Sequence, residues 1–130
     1  MALRGRSILL MEDNPVLSAD LYVLIEDAGA RVIGPFRRVD EGLARIATER
    51  PDLALLDVEL LDGLVMPVAE KLKADGVPFV FYTARGSDGH AAARRTGAPL
   101  VTKSNPASAV IEVLSRIGAE IDGDAVGGTG

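Results

Sequence analysis

Glu12, Asp13, Asp57, Thr83 and Lys103 share one property: each stands where a short apolar run gives out. The runs are Ile8-Leu9-Leu10-Met11, Leu53-Ala54-Leu55-Leu56, Phe79-Val80-Phe81-Tyr82 and Leu100-Val101. Taken singly these residues say little, since an aspartate after a strand usually caps the next helix and strand-end Thr and Lys usually serve structure or face solvent. Together they describe a site. If the runs are parallel strands, their carboxyl ends face one crevice, and three carboxylates converge there. Such a group repels itself unless protons or a cation compensate, and a hard divalent ion is the natural answer. Magnesium takes oxygen ligands, keeps several waters and works beside phosphoryl groups, so carboxylates, a backbone carbonyl and a phosphate would complete its shell. The Thr83 hydroxyl can hydrogen-bond one phosphoryl oxygen and the Lys103 ammonium can pair with another.

The elements needed to hold that crevice are readable in order. Continuous apolar runs of this kind mark strands buried on both faces. Between them lies helical periodicity. Asn14-Pro15 caps a helix carrying Leu17, Leu21, Leu24, Ile25 and Ala28 that stops at Gly29, and 31–35 is a weaker second strand. A second helix is expected over 39–50, ended by Pro51, and a polar, glycine-containing loop follows Asp57. Pro67 opens a third helix that Gly76 closes, 88–95 forms a short, weakly amphipathic fourth, and Pro106 opens a last one ending at Gly118. Strand and helix alternate with connections long enough for crossovers, which predicts an α/β fold: a flavodoxin-like, doubly wound parallel sheet of five strands, order 2-1-3-4-5, helices on both faces. That order puts Glu12 and Asp13 beside Asp57. Residues 119–130, rich in glycine and acids, read as a disordered C-terminal tail after a domain spanning 1–118.

Composition narrows the function. The chain has 130 residues, 48% hydrophobic and 25% charged, enough for one core. A net charge of −5 lacks the basic face that nucleic acid requires. No cysteine is present, which removes thiolate chemistry and disulfides, and the lone His90 cannot make a zinc site. No stretch approaches a membrane span and the first apolar run is too short for a signal peptide, so a cytoplasmic protein is expected.

At these residues the chain resembles the receiver domain of bacterial two-component response regulators, over Ser7 to Gly118. Leu10-Met11-Glu12-Asp13-Asn14, Leu55-Leu56-Asp57-Val58, Tyr82-Thr83-Ala84 and Val101-Thr102-Lys103 carry the resemblance. It implies that Asp57 is the phosphoacceptor and that Glu12, Asp13, Asp57 and the main-chain carbonyl of Glu59 seat Mg2+, with Mn2+ as a substitute. Thr83 would follow the phosphoryl group and Lys103 contact it. Glu59 and Arg85, two residues beyond Asp57 and Thr83, are positions where receivers tune dephosphorylation. The implied partners are a histidine kinase or histidine phosphotransferase and an unknown downstream protein, with homodimerisation open. The expected role is a single-domain response regulator of a phosphorelay, not an enzyme, signalling by contact or onward transfer.

Several positions depart from the usual pattern. Leu100 stands where most receivers have an aromatic residue, and leucine, with nothing to gain in water, is expected to stay buried. Ser104 replaces the common proline after the lysine. The loop Leu60-Leu61-Asp62-Gly63-Leu64-Val65-Met66-Pro67 is similar to that of stand-alone alphaproteobacterial receivers, a group associated with HWE-type sensor kinases. Two other classes compete. A phosphorylation-independent pseudo-receiver scaffold would not need the full residue set, and a small aspartyl-phosphate phosphohydrolase would want a second aspartate where this chain has Glu59.

Overall fold

In the computed structural model, residues 3–84 and 86–129 are described, with 87 and 123–129 described by backbone alone. Five parallel strands make the sheet: β1 (Ser7–Met11), β2 (Arg31–Phe36), β3 (Leu53–Leu56), β6 (Phe79–Thr83) and β7 (Leu100–Thr102), in the order β2-β1-β3-β6-β7. Counting these five alone, that is the expected 2-1-3-4-5. Two further two-residue strands, β4 (Glu59–Leu60) and β5 (Gly63–Leu64), pair antiparallel as a hairpin directly after Asp57.

Strand alternation divides the core in two. Leu9, Met11, Ala54, Leu56, Phe79 and Phe81 face α2 (Val39–Ile46), α3 (Met66–Ala74) and α4 (Ser87–Thr96), where Ile46, Val68, Leu72 and Ala92 cover them. Ile8, Leu10, Leu53, Leu55, Val80 and Tyr82 face α1 (Pro15–Asp27) and α5 (Ala107–Thr129), against Leu21, Ile25, Val110 and Leu114. Every residue of β1, β3 and β6 is buried, as continuous apolar runs require.

The pairing of β1 with β2 contains one irregularity that matters to the site. Leu9 lies opposite Ile33 and Met11 opposite Phe36, so Gly34 and Pro35 together face Leu10 in a bulge. Gly34 has φ +113°, and a Cβ there would lie 2.8 Å from the Leu10 carbonyl oxygen and 2.9 Å from Phe36 N. The extra residue carries β2 one step further along β1. Phe36 O then accepts from Glu12 N at 2.9 Å, and Arg37 Nε donates to Asp13 O at 3.2 Å.

Two helix ends differ from the sequence reading. Helix α2 stops at Ile46 rather than near Arg50, because Thr48 N and Thr48 Oγ1 both bond Arg45 O, each at 3.0 Å, and turn the chain. Helix α5 does not stop at Gly118. It runs on through 119–122, a segment expected to be unstructured, where Ile121 packs against the α1/α5 side of the core and Asp122 pairs with Arg6. Arg6 also donates to the Gly118 carbonyl at 3.2 Å. Truncation after Gly118 should therefore lower the unfolding free energy by about 1–2 kcal/mol, mostly from the Ile121 side chain. Chemical denaturation of the shortened chain checks this, and an unchanged midpoint would show that 119–130 adds nothing. Among the described residues no helix is long and apolar enough to cross a membrane.

Candidate functional site

The carboxyl ends of β1, β3, β6 and β7 meet, and the polar groups of the sequence pattern meet with them. Main-chain bonds lock the ends together: Asp57 N donates to Met11 O at 2.9 Å and Lys103 N to Thr83 O at 2.8 Å. Asp57 is 4% exposed. Its Oδ1 accepts from Thr83 Oγ1 at 2.9 Å and Glu59 N at 3.3 Å, and its Oδ2 from Lys103 Nζ at 2.8 Å. Lys103 Nζ also lies 3.1 Å from Glu12 Oε2 and 3.0 Å from Oε1. Glu12, Asp13 and Asp57 offer carboxylate oxygens within 4.8 Å of one another. All five candidate side chains are thus in one crevice, and the main chain of Glu59 borders it.

The charges there do not balance. Glu12 is fully buried, and burial, reinforced by the charge of Asp57, pushes its carboxyl up to about 7 against the Asn14 N–H and Lys103, which pull it down. Burial alone would lower the Lys103 pKa, but hydrogen bonds to Asp57 and Glu12 outweigh it and hold the ammonium above its ordinary value. One ammonium facing three carboxylates leaves net negative charge in a low-dielectric crevice, where each like pair at this spacing costs roughly 3 kcal/mol. Glu12 Oε1 is buried without a hydrogen bond; Lys103 Nζ is near it, but only as an ion pair. An all-oxygen donor set with a spare buried lone pair suits a hard cation such as Mg2+.

The polar, glycine-containing loop after Asp57 forms a hairpin. Leu61 N donates to Arg37 O at 3.0 Å and Val65 N to Val58 O at 2.8 Å. At the tip, Asp62 caps α2 from outside the helix, accepting from Val39 N at 2.6 Å and Asp40 N at 3.1 Å. Burial raises the Asp62 pKa, but those N–H groups and Arg38 outweigh it and keep the carboxyl below its usual range. Sequence reasoning missed this role, although Asp62-Gly63 is a recognised hairpin signal.

Thr83 and Leu100 are linked through α4. Leu100, expected to be buried, is only half-buried; it packs on the core beside Gly89, where a Cβ would come within 2.8 Å of Thr83 Cγ2 and 3.2 Å of Leu100 Cδ1. The helix backbone thus closes directly on the threonine methyl. Arg85 lies outside the described residues.

No family model matches the chain. The phyllosphere-induced regulator PhyR of Methylorubrum extorquens is 42% identical over 81 residues, 59% of this chain and 30% of PhyR. The chain spans about a third or less of the length of the curated relatives it matches. Among solved structures, SdrG from Sphingomonas melonis Fr1 is 34% identical with a TM-score of 0.72, covering 88% of this chain and 96% of SdrG. The BeF3-activated N-terminal receiver domain of Klebsiella pneumoniae RstA is 27% identical with a TM-score of 0.70, covering 83% and 94%. With SdrG matched over nearly its whole length at 34% identity, the chain belongs to the receiver domains of response regulators in two-component phosphorelays.

Proposed function

We propose that this chain is a response regulator that takes a phosphoryl group on Asp57 from a histidine kinase or histidine phosphotransferase in the cytoplasm, and signals by protein contact or onward transfer. The observation that carries the reading is the Asp57 carboxylate itself, buried and bonded by Thr83 Oγ1 on one oxygen and Lys103 Nζ on the other. In the transfer, a carboxylate oxygen attacks phosphorus, the P–O bond forms as the phosphohistidine P–N bond breaks, and the electron pair returns to the imidazole nitrogen, which takes up a proton. Lys103 neutralises one phosphoryl oxygen and Thr83 donates to another. Glu12, Asp13, Asp57 and the Glu59 carbonyl would hold Mg2+, or Mn2+ in its place, which when bound offsets charge on the phosphoryl oxygens. Incubation with acetyl phosphate tests the reading. An acid-labile adduct of about 80 Da should form with Mg2+ and not with a chelator. The absence of any adduct with Mg2+ would overturn it.

Glu59 should govern how long the phosphoryl group lasts. Its side chain is exposed at the mouth of the crevice while its N–H bonds Asp57, so it stands where attacking water must pass. Glu59→Ala is expected to change the hydrolysis rate of the aspartyl phosphate several-fold, on the order of 1 kcal/mol in the barrier, without altering the fold. A decay time course equal to the parent's would place water entry elsewhere.

A further inference from the structure

Lys103 reaches Asp57 from a turn whose main chain is pinned at two points, Lys103 N to Thr83 O at 2.8 Å and Asn105 N to Thr102 O at 3.0 Å. Side chains supply the remaining bonds. Thr102 Oγ1 and Ser104 Oγ are 2.7 Å apart, and Asn105 Nδ2 is 3.2 Å from both Thr102 O and Thr102 Oγ1. Ser104 and Asn105 are exposed, so water competes for these bonds. One clamp is shielded. Tyr82, 2% exposed, donates its hydroxyl to the Asn105 carbonyl at 2.6 Å.

Tyr82 directly precedes Thr83 on β6, so the two side chains leave the strand on opposite faces. Thr83 meets Asp57 on one face. On the other, the Tyr82 ring lies in the core beneath α1 and α5, and its oxygen reaches the turn carrying the lysine. Packing alone does not call for that oxygen, because phenylalanine would fill the same core space. A buried hydroxyl is costly unless bonded, and this one has spent its hydrogen bond on the lysine turn.

We propose that Tyr82 is a positioning residue for phosphoryl uptake: its hydroxyl holds the 102–105 turn and so aims the Lys103 ammonium at Asp57. The inference rests on the reading of Asp57 as phosphoacceptor. It assigns to Tyr82 no contact with the phosphoryl group. Its whole effect passes through Lys103.

The test is the rate of adduct formation from acetyl phosphate with Mg2+ in the full chain, for the parent, Tyr82→Phe, Lys103→Met and the double variant. High donor concentration and long incubation keep slow variants measurable. Tyr82→Phe should lower the rate about three- to ten-fold, the size expected for one buried hydrogen bond, while melting a few degrees or less below the parent. In the Lys103→Met background the same change should have no further effect, because residues acting as one unit are not additive. Tyr82→Phe at the parent's rate would overturn the inference. So would a double variant slower than Lys103→Met by the factor that separates Tyr82→Phe from the parent, since that marks a general loosening. Should Tyr82→Phe fail to fold, Tyr82→Met removes the same hydroxyl with a more adaptable apolar side chain; a slowing that disappears in the Lys103→Met background supports the clamp and an unchanged rate overturns it. A parent that forms no adduct overturns the reading of Asp57 itself.

Discussion

Asp57→Asn should take up no phosphoryl group from acetyl phosphate or a phosphorylated histidine donor, whatever the supply of Mg2+. The amide keeps the shape of the carboxylate and can still accept from Thr83 Oγ1, so the fold should stand. It is not a nucleophile at phosphorus, and among the described residues no other carboxylate in the crevice is held between a lysine and a hydroxyl. The expected loss is complete, beyond about a thousand-fold, which corresponds to more than about 4 kcal/mol of barrier. Intact mass spectrometry decides the matter. An undiminished adduct on the variant would move the phosphoacceptor to Glu12 or Asp13. Melting should separate the chemistry from stability, because removing one of three mutually repelling charges costs the fold little.

The largest effect on stability is expected at Gly34. Its backbone occupies the left-handed side at φ +113°, and the space a methyl would need is already filled by the Leu10 carbonyl and Phe36 N at under 3 Å. Neither neighbour is a flexible side-chain tip. Gly34→Ala combines conformational strain with a main-chain clash inside the β1–β2 pairing, for a loss of roughly 2–4 kcal/mol, or a drop in Tm on the order of 10 °C. Thermal unfolding followed by circular dichroism checks this, and a shift below about 2 °C would mean that the bulge can rearrange cheaply. Since the bulge brings Phe36 O to Glu12 N and Arg37 to Asp13 O, the surviving folded population should also bind divalent cations less tightly.

How much of this was readable from the chain depended on the range of the interactions. Apolar runs ending in Glu12-Asp13, Asp57, Thr83 and Lys103 announced both the strands and their shared crevice, because burial on two faces writes itself as a local run and parallel topology does the rest. Bonds between distant segments were silent. Nothing near Tyr82 reveals that its hydroxyl ends on Asn105 O, and nothing near Asp62 reveals that it caps a helix beginning at Val39. The bulge at Gly34 was hidden in a strand that still read as a strand. Gly118 misled for a related reason: a glycine after an apolar stripe signals a helix end, whereas the contacts of the following turn, Ile121 on the core and Asp122 with Arg6, lie beyond the glycine or far off in sequence.

The hairpin after Asp57 bears on the entropy of ligand binding. A free loop would have to surrender about 1–2 kcal/mol of backbone freedom for each residue it orders around a ligand. Here residues 58–65 are ordered already, tied to Arg37 O, to Val58 O and, through Asp62, to the first N–H groups of α2. That ordering cost was met when the chain folded. A ligand entering the crevice meets a wall with its amide and carbonyl groups in place, and what it gains in contact is not consumed in straightening the protein.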